Sequence, residues 1–290
     1  MTRVDLHTHS TASDGAHRPA RLVEMAAAGG LGVLSVSDHD TLDGVSDACR
    51  AGKSLGLPVI PAVELSVDLE AGGSAHLLGY FPQADLERLL SPSSSLGKAL
   101  EGVRQARYRR NPRILERLAG LGMHVPEPEV ARAAGEGVIG RPHIAQVMVN
   151  RGYVGSQREA FDRFLARGKP AYVERRRLYA GSAIDLIRDV GGIPVLAHPG
   201  LMPRTHRELS ALVAGLADRG MQGVEVYYPG HDRAMTEHLR NTACGLDLAL
   251  TGGTDYHGED SSTPLGGDES FAVHAEDVSE FLQMCSIDSL

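Results

Sequence analysis

A chain of 290 residues with 42% hydrophobic and 23% charged residues can bury a sizeable core and has the composition of an ordinary globular protein. Its formal charge is −8, aromatic residues are scarce at 4% and Trp is absent, which argues against a stacking platform for single-stranded nucleic acid. No apolar run reaches the roughly 18 residues of a membrane helix, no apolar signal region opens the chain, and three distant cysteines (Cys49, Cys244, Cys285) read as reduced thiols with no disulfide partner, so the expectation is a cytoplasmic protein.

Short runs rich in Val, Ile and Leu predict strands at 3–6, 32–37, 58–63, 75–80, 193–197, 223–227 and 248–251. Helical patterns at 20–28, 182–190 and 208–217 lie between several of them. Glycines such as Gly29-Gly30, Gly191-Gly192 and Gly220 stand where the preceding helices need C-terminal caps. Strands alternating with helices imply a parallel sheet, and the strand count favours a barrel of about seven strands. The rhythm breaks between residues 96 and 180, where helices at 95–121, 142–151 and 158–166 are joined by turns containing Pro and Gly. This stretch holds 15 Arg and 2 Lys against 8 acidic residues, a charge of +9 that leaves −17 for the remainder. The expected organisation is a barrel made by residues 1–95 and 181–290, carrying a basic helical insertion at 96–180. The plain reading of the insertion is solvated helix faces; the sharper one is a lid that offers cations to an anionic substrate.

The chemistry sits at strand ends. His7 and His9 close the first strand and, two residues apart, share a face. Asp14 follows in a loop, Ser37-Asp38-His39-Asp40 ends the second strand, Glu64 the third, and His76 lies in the fourth. Ala197-His198-Pro199 ends a later strand, and the last leads into Asp255-Tyr256-His257. Independent core histidines would not gather at one end of a barrel, where loops carry the sites of such enzymes. Imidazole and carboxylate without thiolate suit Zn²⁺, Mn²⁺ or Fe²⁺, and the donors are too many for one ion. Paired ions can clamp the attacking and leaving oxygens of a phosphoryl transfer.

Together the His7-x-His9 opening, residues 37–40, Glu64, His76, Ala197-His198-Pro199 and Asp255-x-His257 resemble the polymerase and histidinol phosphatase (PHP) family of phosphoesterases. Gly140-Arg141-Pro142-His143-Ile144-Ala145 and Lys169-Pro170-Ala171-Tyr172-Val173 are similar to the insertion of nucleoside 3′,5′-bisphosphate phosphatases, a group that shades into 5′-to-3′ oligoribonucleases. The resemblance implies an α/β fold, a distorted (β/α)7 TIM-like barrel with a helical insertion, holding three divalent ions, Mn²⁺ foremost with Zn²⁺ or Fe²⁺ as alternatives. By position, one ion would take His7, His9, Glu64 and Asp255, with Glu64 bridging. A second would take Glu64, His76 and His198, and a third Asp14, His39 and His257.

Around this set, Asp38 and Asp40 are candidates either to orient His39 or to bond the loop. Arg141 and His143 open a helix with Pro142 in its first turn, a place that favours an anion, and are candidate ligands of a second phosphate. Arg204 and His206 are candidates for phosphate contact or proton donation, and Tyr228 and His231 for the base or ribose. Arg175-Arg176-Arg177 reads as a solvated charge run, with Arg177 as its candidate phosphate ligand. His17, His124, His238 and His274 read as ordinary.

The implied reaction is hydrolysis of the 3′-phosphate of a nucleoside 3′,5′-bisphosphate by a hydroxide bridging two ions, with Asp255 as proton shuttle and His206 or the third ion serving the leaving oxygen. The alternative substrate is a short 5′-phosphorylated oligoribonucleotide. A C–N hydrolase on a related, amidohydrolase-like barrel fits so cationic an insertion less well, and a non-catalytic metal-binding module fits a full ligand set less well still.

Overall fold

The computed structural model describes residues 1–82, 85–135, 137–175, 177–259 and 261–287. The strands are β1 (Arg3–Asp5), β2 (Val33–Val36), β3 (Val59–Asp68), β4 (Ser74–Tyr80), β5 (Leu178–Tyr179), β6 (Ile193–Leu196), β7 (Gly223–Tyr227), β8 (Ala249–Gly252) and β9 (Val273–His274). They form one sheet in the order β8-β7-β6-β4-β3-β2-β1-β9, with β5 paired to β3. The chain beyond β1 meets the chain beyond β8 through a parallel bridge between Thr8 and Tyr256. The bonds Asp255 N–H to His7 O (2.8 Å) and His9 N–H to Tyr256 O (2.9 Å) continue that seam. The seven predicted strands are thus the staves of a nearly closed barrel, and the additional β5 and β9 pair along its rim.

The sheet is not wholly parallel, as alternation had implied. β4 runs antiparallel to both neighbours, β3 and β6. β3 and β4 form a hairpin whose turn contains Gly72 and Gly73 with φ of 88° and 92°, a left-handed backbone that glycine adopts without steric cost. This reversal matters for the site. His76 stands near the start of its strand, and only because β4 is inverted does that start lie at the same end as the C-termini of the parallel strands.

Period-two alternation decides which side chains enter the barrel. Along β3, Ile60 and Ala62 join an apolar cluster with Leu78 and Tyr80 of β4, while Val63, Leu65 and Val67 join the other cluster with Ala183, Ile184 and Ile187. Glu64 therefore continues the row of Ile60 and Ala62, just above an apolar floor, and is fully buried.

The helices are α1 (Pro19–Ala28), α2 (Val45–Leu55), α3 (Leu86–Leu90), α4 (Ser95–Gly120), α5 (Glu127–Ala134), α6 (Arg141–Asn150), α7 (Gln157–Ala160, continued by a π turn at Phe161–Leu165), α8 (Ala180–Asp189), α9 (His206–Asp218), α10 (Arg233–Cys244) and α11 (Ser279–Met284). Ser94 caps α4 by accepting from Gly97 N–H, and Thr205 with Glu208 makes a reciprocal cap on α9. Leu96 and Leu100 at the start of α4 belong to a cluster with barrel residues, whereas Ile114 and Leu118 belong to a separate one with Ile144, Met148, Leu165 and Val173. One helix thus bridges two cores. No helix among the described residues is long and apolar enough to cross a membrane.

Candidate metal centre

Backbone pairing at the barrel mouth brings the donors together. Asp40 N–H bonds Glu64 O and Glu64 N–H bonds Asp38 O, so His39 is held directly beside Glu64. The Glu64 carboxylate is the hub. Its Oε1 lies 2.8 Å from His76 Nδ1, 3.0 Å from His198 Nε2 and 3.5 Å from His7 Nε2. Its Oε2 lies 2.6 Å from His39 Nδ1 and 3.4 Å from His9 Nε2. Asp255 Oδ1 is 3.0 Å from His9 Nε2 and 3.4 Å from His7 Nε2, and His257 Nε2 is 3.5 Å from Asp14 Oδ1.

Many of these atoms face one another without bonding. His7 Nε2, both ring nitrogens of His9, Asp14 Oδ1, His39 Nδ1, Glu64 Oε2 and Asp255 Oδ1 are buried and make no hydrogen bond. Buried polar atoms are almost always paired, so this convergence of lone-pair donors on shared points fits divalent cations. Three overlapping groups have donor atoms within 4.8 Å of one another: His7, His9, Glu64 and Asp255; His9, Asp14, His39 and His257; and His39, Glu64 and His76. The first coincides with the set implied for the first ion, and the second adds His9 to Asp14, His39 and His257. His198 Nε2, 3.4 Å from His76 Nδ1, completes the Glu64–His76–His198 set.

The backbone is strained at the same place. Of the five non-glycine residues with positive φ among those described, Asp40 (56°), His198 (27°) and Asp255 (54°) lie at or beside this cluster. Such conformations cost free energy and persist where surrounding structure holds them, as at sites. The charges are tightly coupled. Burial opposes charge on His39 and His257, yet the carboxylates of Glu64 and Asp14 raise His39 to about 9, and Asp14 and Asp255 raise His257 to about 10. His9, buried and beside those two cationic rings, falls to about 3.

Next to the cluster lies a cavity of about 230 Å³ whose lining includes Asp14, His39 and His76 together with Arg107, Arg110, Arg141, Arg175 and Arg177. Asp40 Oδ2 accepts from both Arg107 and Arg175, while its Oδ1 accepts from Ser66 N–H. Arg107 Nε and Arg175 Nε and Nη1 remain buried without partners. Among the described residues Arg110 has only the side chain of Asn111 as acceptor; burial, and then four neighbouring arginines, disfavour its charge. A guanidinium does not deprotonate in proteins, so the mismatch stands as a demand for an anion.

Residues 5–126 match the PHP domain family. A 5′-3′ exoribonuclease of Haemophilus influenzae is 32% identical over 256 residues, covering 88% of this chain and 90% of the relative. The chain belongs to the PHP family. A 3′,5′-nucleoside bisphosphate phosphatase of Chromobacterium violaceum is 29% identical, covering 89% of this chain and 88% of that protein. A solved structure from Bifidobacterium adolescentis, assigned as a metal-dependent phosphoesterase, superposes with a TM-score of 0.83 at 29% identity, over 98% of this chain and 96% of its own. With its clustered donors, this PHP protein is a metal-dependent phosphoesterase.

The remaining candidates of this PHP chain are distributed unevenly. Arg141 and Arg177 line the cavity, although Arg141 also donates to Leu165 O and lies over the rings of Phe161 and Tyr172, and Arg177 donates to Asp68 and Glu174. His143 does not line it: its Nδ1 accepts from Gly140 N–H and closes its own helix. Arg204 reaches the carbonyl of Gly72 in the β3–β4 turn. His206, the first residue of α9, is exposed and stacks on His238 at 4.3 Å. His231 uses both nitrogens internally, on Val226 O and Gly200 N–H, which leaves none for a base. Tyr228 touches the site, but by donating to Asp255 Oδ2 at 3.1 Å. Asp38 accepts from Ser10 and Ser13 and shapes the loop that carries Asp14, while Asp40 holds arginines; neither bonds the His39 ring. Arg176 lies outside the described residues.

Four residues escaped the sequence reading, and the role of a fifth was misread. Asp5 accepts from Thr254 and Gly266 and shapes the loop that carries Asp255. Glu225 accepts from His7 Nδ1 and His198 N–H. An acid in an apolar strand was the available signal for both. Arg107 and Arg110 carried none, since among the 15 arginines of residues 96–180 nothing local marks those that turn inward, and Arg175, expected in a solvated charge run, is buried against Asp40.

Proposed function

We propose that this PHP enzyme hydrolyses the 3′-phosphate of nucleoside 3′,5′-bisphosphates, with three divalent ions at the donor groups and the second phosphate held by the insertion. The observation that carries this reading is the shared cavity, lined by metal donors and by five arginines together. A substrate bearing two phosphates can meet both sets of groups at once. Divalent ions in such a site supply Lewis acidity toward phosphoryl oxygens and lower the pKa of water toward neutrality. The protein's own contributions follow from the geometry. Arg107 and Arg175 present unpaired N–H groups to the remote phosphate, fixed in direction by Asp40. Asp255 turns Oδ1 to the cluster, where it takes the proton of the attacking water, while Tyr228 holds Oδ2.

A second reading, removal of nucleotides from the 5′ end of short RNA, is favoured by the exoribonuclease name of the 32% identical relative. Both substrates place a 5′-phosphate on the arginines. Steady-state kinetics on a 3′,5′-bisphosphate mononucleotide and a 5′-phosphorylated trinucleotide separate them: the first reading expects the higher kcat/KM on the mononucleotide. A preference for the trinucleotide establishes the second, and activity on neither overturns both.

A further inference from the structure

Every stave of the barrel but one delivers a donor to the cluster; β7 delivers none. What it supplies instead is Glu225, wholly buried between Val224 and Val226. A carboxylate in such a position is costly to desolvate where a valine would cost nothing, so it must be compensated by what it holds. It holds two ligands that belong to different donor groups. Its Oε1 lies 2.9 Å from His7 Nδ1, which fixes the tautomer with the proton on Nδ1 and leaves the Nε2 lone pair facing Glu64 and Asp255. Its Oε2 accepts the backbone N–H of His198 at 2.7 Å, at the residue whose φ of 27° aims Nε2 at Glu64 Oε1.

We propose that Glu225 is a positioning residue that couples two of the ion-binding groups, setting the His7 ring and the His198 backbone with its two oxygens. The proposal rests on the metal reading above but not on the identity of the ester. Among the described residues Glu225 bonds His7 and His198, and no hydrogen bond or ion pair joins it to Asp14, His39 or His257, so the affinity of that group should change least.

The test is Glu225→Gln, which keeps the shape but turns an amide NH₂ toward one of the two donors. Calorimetric titration of the metal-free protein with Mn²⁺ should show two classes of site weakened about ten- to a hundred-fold, the usual effect of losing such a partner, and one class unchanged. With ions present, kcat should fall while KM for the bisphosphate stays near that of the parent, because the arginine wall is untouched. Glu225→Leu, which suits an apolar strand, should load ions in the same defective pattern while keeping the metal-free melting temperature. Parent-like titration of both variants overturns the proposal, as does equal weakening of all sites with a lowered metal-free melting temperature, which marks a merely structural role. Parent protein that binds ions but hydrolyses neither nucleotide overturns the proposed substrate and leaves the Glu225 result standing; parent protein that binds no ions overturns both.

Discussion

Arg110 shows most plainly how one residue can serve function at the expense of stability. It is buried, faces four other arginines and, among the described residues, has no carboxylate partner. Arg110→Ala should therefore leave the melting temperature of the metal-free protein unchanged or raised, since like charges repel in a medium of low dielectric. The same substitution should lower kcat/KM for a 3′,5′-bisphosphate about ten- to a hundred-fold, the worth of a charge-assisted bond of roughly 1.5–3 kcal/mol. An aryl phosphate, lacking the second phosphate, should be hydrolysed as before. Equal losses on both substrates would place Arg110 at the scissile phosphate instead. His39 and His257 carry the pH dependence. Their pKa values in the metal-free protein, about 9 and about 10, lie above the ordinary 6.5, so both rings hold protons at neutral pH. A ring nitrogen must shed its proton to bind a cation, so ion uptake at pH 7 should release protons, and apparent affinity should rise between about pH 7 and 10. Calorimetry in buffers of different ionisation enthalpy measures this directly; heats independent of buffer would refute it.

At the scale of elements, the informative pieces are the hairpin and α4. The glycine pair at the β3–β4 turn is a hairpin signal that could have been read from the sequence, and the expectation of strand–helix alternation concealed it. β5 and β9 were not legible, because two-residue strands have no periodicity. α4 was legible in its boundaries but not in its two-core role, because both halves present apolar residues at helical spacing. Ile114 anchors its far half in the cluster enclosed by the insertion. Ile114→Ala should cost about 2–5 kcal/mol of the local stability by opening a cavity. Because Arg110 and Arg107 lie about one and two turns before it, activity on the bisphosphate should fall further than activity on an aryl phosphate. Bound Mn²⁺ per chain should be unchanged; a parallel loss of ions would show that the insertion and the barrel fold as one unit.

For the whole molecule, the charge of −8 conceals a segregation of +9 on residues 96–180 from −17 on the remainder. Chelation should abolish turnover of any phosphate ester, and Mn²⁺, Zn²⁺ or Fe²⁺ should restore it. Fewer than two equivalents of metal in fully active protein, by elemental analysis, would contradict the cluster. By itself the sequence indicated the seven staves, the metal-capable residues His7, His9, Asp14, His39, Glu64, His198, Asp255 and His257 at or just beyond the ends of parallel strands, and the basic stretch at 96–180. Those features are local: apolar runs, two-residue spacing, and polar residues at strand ends, each readable within a few positions. Tertiary structure alone decided the inversion of β4, the inward turn of Arg107, Arg110 and Arg175, and the burial of Glu225 against His7 and His198. It also drew His206, Arg204 and His231 into contacts of their own. Each of these depends on which distant segment packs against a residue, and contacts such as that of Asp40 with Arg175, 135 residues apart, leave no periodic trace in the chain.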